Sequence, residues 1–204
     1  FGEVHGLIRA VGPKLLSPEL LDFTAKTEEF SNDRIDLLDY LLYLDSLAKR
    51  RELTSLGDIK EMVQYPNLVR LMRLHRLEEE LNQGGLKRET EALKLEFQKQ
   101  MPGSERVEKV LSRIDQSQKG MAPRNYFLEL TELASEGKID LVAYPALRIF
   151  AEFLIHQDEI DHRSLFSELK DFERHLQEQL FTGADEKAFL QLIDFSGLLE
   201  QYFR

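Results

Sequence analysis

The chain has 204 residues, 42% apolar and 31% charged, with 27 Lys plus Arg against 37 Asp plus Glu for a net charge of −10. No run of 18 uncharged apolar residues occurs, which excludes a spanning helix, and both halves are acidic, which disfavours nucleic acid and anionic lipid as ligands. Cysteine is absent, so thiol catalysis, disulfides and thiolate metal sites are excluded together.

Residues 1–16 read as an N-terminal leader, and the chain opens on Phe1 rather than methionine, which leaves a preceding segment open. Ser17-Pro18-Glu19 is an N-cap, a proline at the first helical position and an acid in the first turn, so a helix of about ten residues is predicted there. Ser31-Asn32-Asp33 is expected to cap a longer one, with Ile35, Leu38, Leu41 and Leu42 at helical spacing. Lys49-Arg50-Arg51 closes it, where cations suit the helix dipole. Asp58-Ile59-Lys60-Glu61 resembles a capping box. Pro66 opens a helix expected to run to Gly84-Gly85. Leu86–Gln100 is helical by pattern, Ser104 caps a segment to about Lys119, and Gly120–Pro123 is a break. Asn125–Glu136 is helical, Pro145 opens an apolar helix, and Ser164–Phe181 carries Leu165, Leu169, Phe172, Leu176 and Leu180 on one stripe. Thr182-Gly183 turns the chain and Asp185 caps a last helix, giving a terminal antiparallel hairpin. The only strand candidates, Phe1–His5 and Ile139–Ala143, are too short to make a sheet.

An internal echo stands out. Gly57-x-Ile59-x-x-x-Val63-x-Tyr65-Pro66-x-Leu68 is matched by Gly137-x-Ile139-x-x-Val142-x-Tyr144-Pro145-x-Leu147. Six Tyr and six Pro make about 0.2 Tyr-Pro pairs expected by chance, so two pairs with the same flanking residues point to a repeated unit. Proline fixes φ at the helix start, and the tyrosine before it is pushed to an extended conformation. Two related halves, 33–100 and 123–181, are the expectation, too few copies for a solenoid.

The polar candidates are sparse. Glu152, His156, Glu159 and His162 fall in one helical sector, and Glu159-x-x-His162 is the pair that di-iron bundles use twice. The same sector holds Arg148 and Arg163, each four residues from an acid, so a solvated polar face with Arg148–Glu152 and Glu159–Arg163 pairs is the preferred reading. Arg70, Arg73 and Arg76 line one side of the Pro66 helix and could hold an anion or an acidic partner. His75 shares a face with Leu68, Leu71 and Met72 and reads as a neutral core histidine, whereas His175 reads as a surface residue.

Glu3 and His5, within Phe1-Gly2-Glu3-Val4-His5-Gly6, form the one catalytic-looking string. It resembles the strand-end Gly-Glu-x-His stretch of erythromycin-esterase-like and haem-uptake-type hydrolase families. That resemblance covers six residues and implies an active-site glutamate and histidine at a strand end, with an α/β core that this chain does not continue. No P-loop, GxGxxG, GxSxG or HExxH is present.

The expected fold is all-α, a bundle of eight to ten helices. The expected function is a non-catalytic helical interaction or scaffold module that engages a protein partner or a second copy of itself, with no cofactor, nucleic acid or membrane insertion. The alternatives are a helical cap or fragment of a hydrolase-like enzyme, a metal-binding bundle, and a carrier of a small apolar ligand. The compartment stays open, with a soluble cytoplasmic setting preferred.

Overall fold

The computed structural model describes residues 10–53, 55–117 and 124–202. Among the described residues the chain is all-α, with nine α-helices of 13 residues or more, two 3-10 helices and no strand. A further helical stretch covers residues 10–15 of the expected leader, and Leu16 behind it is buried. No helix among the described residues is long and apolar enough to cross a membrane.

The helices start where the local chemistry allows. Helix α1 (Pro18–Ser31) has Ser17 as its cap, whose Oγ accepts from the Leu20 amide at 3.3 Å. It runs past the expected ten residues and takes in Ser31, while Asn32 closes it by donating its side-chain amide to the Glu28 carbonyl at 2.8 Å. Ser31-Asn32-Asp33 is therefore an ending and not a start. Helix α2 (Leu37–Arg50) is capped by Asp36, whose Oδ1 accepts from the Asp39 amide at 2.8 Å. The Asp58 side chain caps nothing, and the segment behind it tightens into a 3-10 helix, Ile59–Met62.

Helix α3 (Pro66–Glu80) follows Tyr65, and α4 (Gln83–Gln100) begins earlier than the apolar pattern suggests. Gly84-Gly85 does not end α3. Asn82 caps α4 by accepting from the Gly85 amide at 2.9 Å, which draws both glycines into the first turn. Helices α5 (Glu105–Ser117) and α6 (Arg124–Glu136) lie either side of the expected Gly120–Pro123 break, which falls outside the described residues. The strand candidate Ile139–Ala143 holds a second 3-10 helix, Leu141–Ala143, and the other, Phe1–His5, lies outside the described residues. Helices α7 (Pro145–Asp158), α8 (His162–Leu180) and α9 (Ala184–Tyr202) complete the chain.

The contacts divide the chain into two compact units, residues 1–55 with 166–204 and residues 56–165. In the first, α1 packs on α2. Tyr40 is fully buried there, stacks on Phe30 with ring centroids 4.5 Å apart, and shares a 2.9 Å hydrogen bond with the Thr27 hydroxyl. Its hydroxyl also bonds the Glu173 carboxyl, which burial pushes up against the opposing pull of that bond. Asp185 does not cap α9. Glu186 does the work, a buried carboxylate whose Oε1 accepts from the Ser17 amide at 2.7 Å and whose Oε2 accepts from the Thr182 amide at 2.5 Å and the Thr182 hydroxyl at 2.9 Å. Burial alone would raise this carboxyl, but the bonds from Thr182, Ser17 and Gly183 outweigh it and hold it below the ordinary range.

The second unit is built around Leu93 and Phe97 of α4, Val107 and Val110 of α5, and Leu130 and Leu133 of α6. Leu154 of α7 joins them, with Leu147, Phe150 and Phe153 partly buried against the cluster. Each fully buried Leu or Phe contributes roughly 1.5–3 kcal/mol through removal of apolar surface from water. Both Tyr-Pro blocks lie in this unit.

Candidate functional site

The Tyr-Pro corners place the polar residues. Tyr65 and Tyr144 have nearly the same backbone, φ −129° and ψ 57° against φ −121° and ψ 69°, and each is followed by proline at the first helical position. A 3-10 helix precedes each corner. The helices they launch, α3 and α7, pack on each other. They run antiparallel: Asn67 near the start of α3 accepts from the Asp161 amide just past the end of α7, at 2.9 Å, while Arg73 mid-helix meets Glu152.

This packing brings two of the sequence candidates together. Arg73 pairs with Glu152, and Arg70 Nε lies 3.3 Å from Glu159 Oε2 in an ion pair without hydrogen-bond alignment. Arg70 and Arg73 of α3 thus face Glu159, just past the end of α7, and Glu152 within it. The expected Arg148–Glu152 and Glu159–Arg163 pairs along one helix are replaced by these pairs between helices. The end of α7 at Asp158 separates Glu159 from Arg163, whereas Arg148 and Glu152 share α7 and Glu152 is taken by Arg73. Asp161 starts a new helix by accepting from the Arg163 amide at 3.0 Å and the Ser164 hydroxyl at 2.6 Å, bonds that hold its carboxyl below the usual range. His162 and Arg163 therefore belong to α8, and Glu159-x-x-His162 does not share one helix.

His156 lies beneath this seam. Its Nε2 is 3.8 Å from Glu152 Oε1, beyond hydrogen-bond reach, and its buried Nδ1 makes no hydrogen bond. Burial, and then the nearby Arg73 and Arg70, push the imidazole down, against the pull of Glu152 and Glu159. These effects favour the neutral imidazole. Among the described residues no group of three or more His, Asp or Glu side chains comes together as a metal site. Arg76 is exposed and makes no ion pair among the described residues. His75 Nε2 sits 3.6 Å from Glu79 with its side chain partly covered, and His175 is exposed. Glu3 and His5 lie outside the described residues.

Three polar residues of this unit escape a pattern reading. Asn67 and Asp161 are joined across the α3–α7 ends, and Glu89 of α4 accepts from the Leu147 amide at 3.0 Å, covering one of the open amides at the start of α7. The one local signal was the Asp161-x-x-Ser164 spacing of a helix cap. Long-range partners such as Glu89 leave none.

The surface around the corners is apolar at two matching points. Val63 is 90% exposed and Val142 is 73% exposed, each two residues before its tyrosine, while Tyr65 is buried and Tyr144 half-buried. No family model, curated protein or solved structure matches the chain.

Proposed function

We propose that the chain is a non-catalytic helical interaction module built on an internal repeat, and that its two Tyr-Pro corners are contact points for a protein partner. The observation that carries this reading is the pair of outward-facing valines, Val63 and Val142, at the same place in the two blocks. Covering a valine is worth roughly 1.5 kcal/mol or more, so two solvent-facing copies form a pair of matched handles. The tyrosine and proline beside each valine hold it on a fixed corner, which limits the ordering cost of binding. The α3–α7 seam supports the same reading, because Arg70 and Arg73 are engaged with Glu159 and Glu152 and serve to join helices.

Photo-crosslinking residues placed at 63, at 142 and, as a control, at the exposed Leu95 test the reading in extract of the source cells. The expected result is one and the same polypeptide, a second copy of the chain included, captured at 63 and 142 but not at 95, and lost in the Val63→Asp/Val142→Asp double variant. Capture at 63 and 142 that does not exceed the Leu95 control would remove the basis of the proposal.

A further inference from the structure

The two corners sit inside a longer correspondence. Helices α3 and α7 start at Pro66 and Pro145, α4 and α8 at Gln83 and His162, and α5 and α9 at Glu105 and Ala184, each pair 79 residues apart. The caps correspond too. Asn82 and Asp161 are 79 apart, and the backbone carbonyl of each accepts the first helical bond, from Leu86 at 2.8 Å and from Leu165 at 2.9 Å.

Upstream the register is 86. Helix α2 closes with the Leu53 amide on the Ala48 carbonyl and Glu52 at φ 55°; α6 closes with the Ile139 amide on the Ala134 carbonyl and Lys138 at φ 54°. The sequence agrees: Tyr40-x-x-x-Leu44-x-x-Leu47-Ala48 is matched by Tyr126-x-x-x-Leu130-x-x-Leu133-Ala134. The change of register is a connection seven residues longer before the first corner. Gly137 accordingly closes α6, whereas Gly57 stands beyond the end of α2, so the glycine part of the sequence echo is not a structural match.

The cores show which copy each leading helix serves. Leu130 and Leu133 of α6, the first helix of the second copy, are buried on Leu93 and Phe97 of α4, which belongs to the first copy. In the other unit Tyr40 of α2, the first helix of the first copy, bonds Glu173 of α8, which belongs to the second copy. Phe172 and Leu176 of α8 stand 79 residues after Leu93 and Phe97 and are buried to the same degree.

We propose that the chain is a tandem pair of one module, leading helix, Tyr-Pro helix, Asn/Asp-capped helix and closing helix, and that the two copies exchange their leading helices. The first unit joins α2 of the first copy to α8 and α9 of the second, and the second unit joins α6 and α7 of the second copy to α3, α4 and α5 of the first. The leading helix is thus an interaction element, and the partner it fits is the capped and closing helices of a second copy of the same module. This rests on the repeat proposed above and not on the valine contacts, so loss of cross-linking at Val63 and Val142 would leave it standing.

Two experiments on the whole chain test it. A protease site placed between α5 and α6 nicks the folded protein between the copies. The two pieces are expected to co-elute at the mass of the intact chain with undiminished helical circular dichroism; pieces that part without denaturant overturn the exchange. Replacing residues 40–48 by the sequence of residues 126–134 then tests equivalence. This chimera is expected to keep cooperative unfolding and the helix content of the parent, while a control carrying residues 87–95 at the same place loses cooperativity in the first unit. A chimera no better folded than that control overturns the equivalence of the leading helices.

Discussion

Replacing Glu186 by glutamine leaves the side chain's shape nearly unchanged and breaks its hydrogen bonding. The carboxylate serves backbone amides with both oxygens: Ser17 on Oε1 at 2.7 Å and Thr182 on Oε2 at 2.5 Å. Glutamine has one acceptor oxygen and an NH2 group, so in either orientation one of those amides faces a donor. Glu186 is only 5% exposed, so water does not replace the lost acceptor freely. An unsatisfied buried amide costs about 1–3 kcal/mol, and the surviving bond loses its charge assistance. Glu186→Gln is therefore expected to destabilise the first unit by about 3 kcal/mol, read by urea unfolding followed by circular dichroism at pH 7. The pH dependence carries a second signature. The folded carboxyl titrates below the unfolded value of 4.5, so its contribution is full above that value and is lost as pH falls through the folded pKa. The gap between parent and variant should stay constant above pH 4.5 and narrow below it. A loss under about 0.5 kcal/mol at pH 7, the range of an ordinary surface change, would refute the assignment of Glu186 as the residue that ties Ser17 to the α8–α9 turn.

His156→Gln tests the seam: the folded imidazole titrates below its ordinary 6.5, so the parent loses stability relative to the variant as pH falls below 6.5, and the difference levels off under the folded pKa. Imidazole proton shifts followed by NMR check this directly, and a His156 midpoint at or above 6.5 contradicts it. Gly103 adopts φ 73°, so Gly103→Ala should cost about 1 kcal/mol although nothing lies near the added methyl. Gly84→Ala, in the first turn of α4 with only the Asn82 side chain at 3.4 Å, should stabilise by about 0.5 kcal/mol; thermal unfolding of the two variants shifting in the same direction would show that backbone conformation is not what separates them.

The all-α architecture was legible because helix boundaries are local chemistry. Ser17-Pro18, Tyr65-Pro66 and Tyr144-Pro145 mark starts by residue type alone, and those starts stand where they were read. Boundaries went astray where two neighbouring residues compete for one role. Asn32 and Asp36 are both capping residues, and only the structure shows that the first ends α1 while the second begins α2. Gly84-Gly85 reads as a stop because glycine usually follows a helix, yet the Asn82 carboxamide turns the pair into a beginning. The polar seam was half legible. Arg70, Arg73, Glu152 and Glu159 could be singled out, but a helix face of alternating charge looks the same whether it meets water or a facing helix. Sequence separation hides partners: Arg73 and Glu152 stand 79 residues apart, which is also the register of the proposed repeat.

That coincidence has a physical meaning. When two copies of one helix pack antiparallel, the residue at the crossing meets its own counterpart. Identical charges there would repel, and under the proposed repeat the two matched positions carry opposite charges, Arg73 and Glu152. The pair is largely solvated, with 49% and 35% of the two side chains exposed, so its worth is about 0.5 kcal/mol after screening. Glu152→Arg turns the attraction into a repulsion of similar size and should cost about 1 kcal/mol in the stability of the second unit, less at high salt. Arg73→Glu alone places two acids at the crossing and should cost a similar amount. The exchanged double variant, Arg73→Glu with Glu152→Arg, restores opposite charges at the same crossing and should recover most of the loss. Urea unfolding of the four proteins at low salt and again at 1 M salt closes the cycle. If the exchanged variant is as unstable as the two single changes added together, the two residues do not meet at a crossing of matched helices, and the register of 79 between them has no structural consequence.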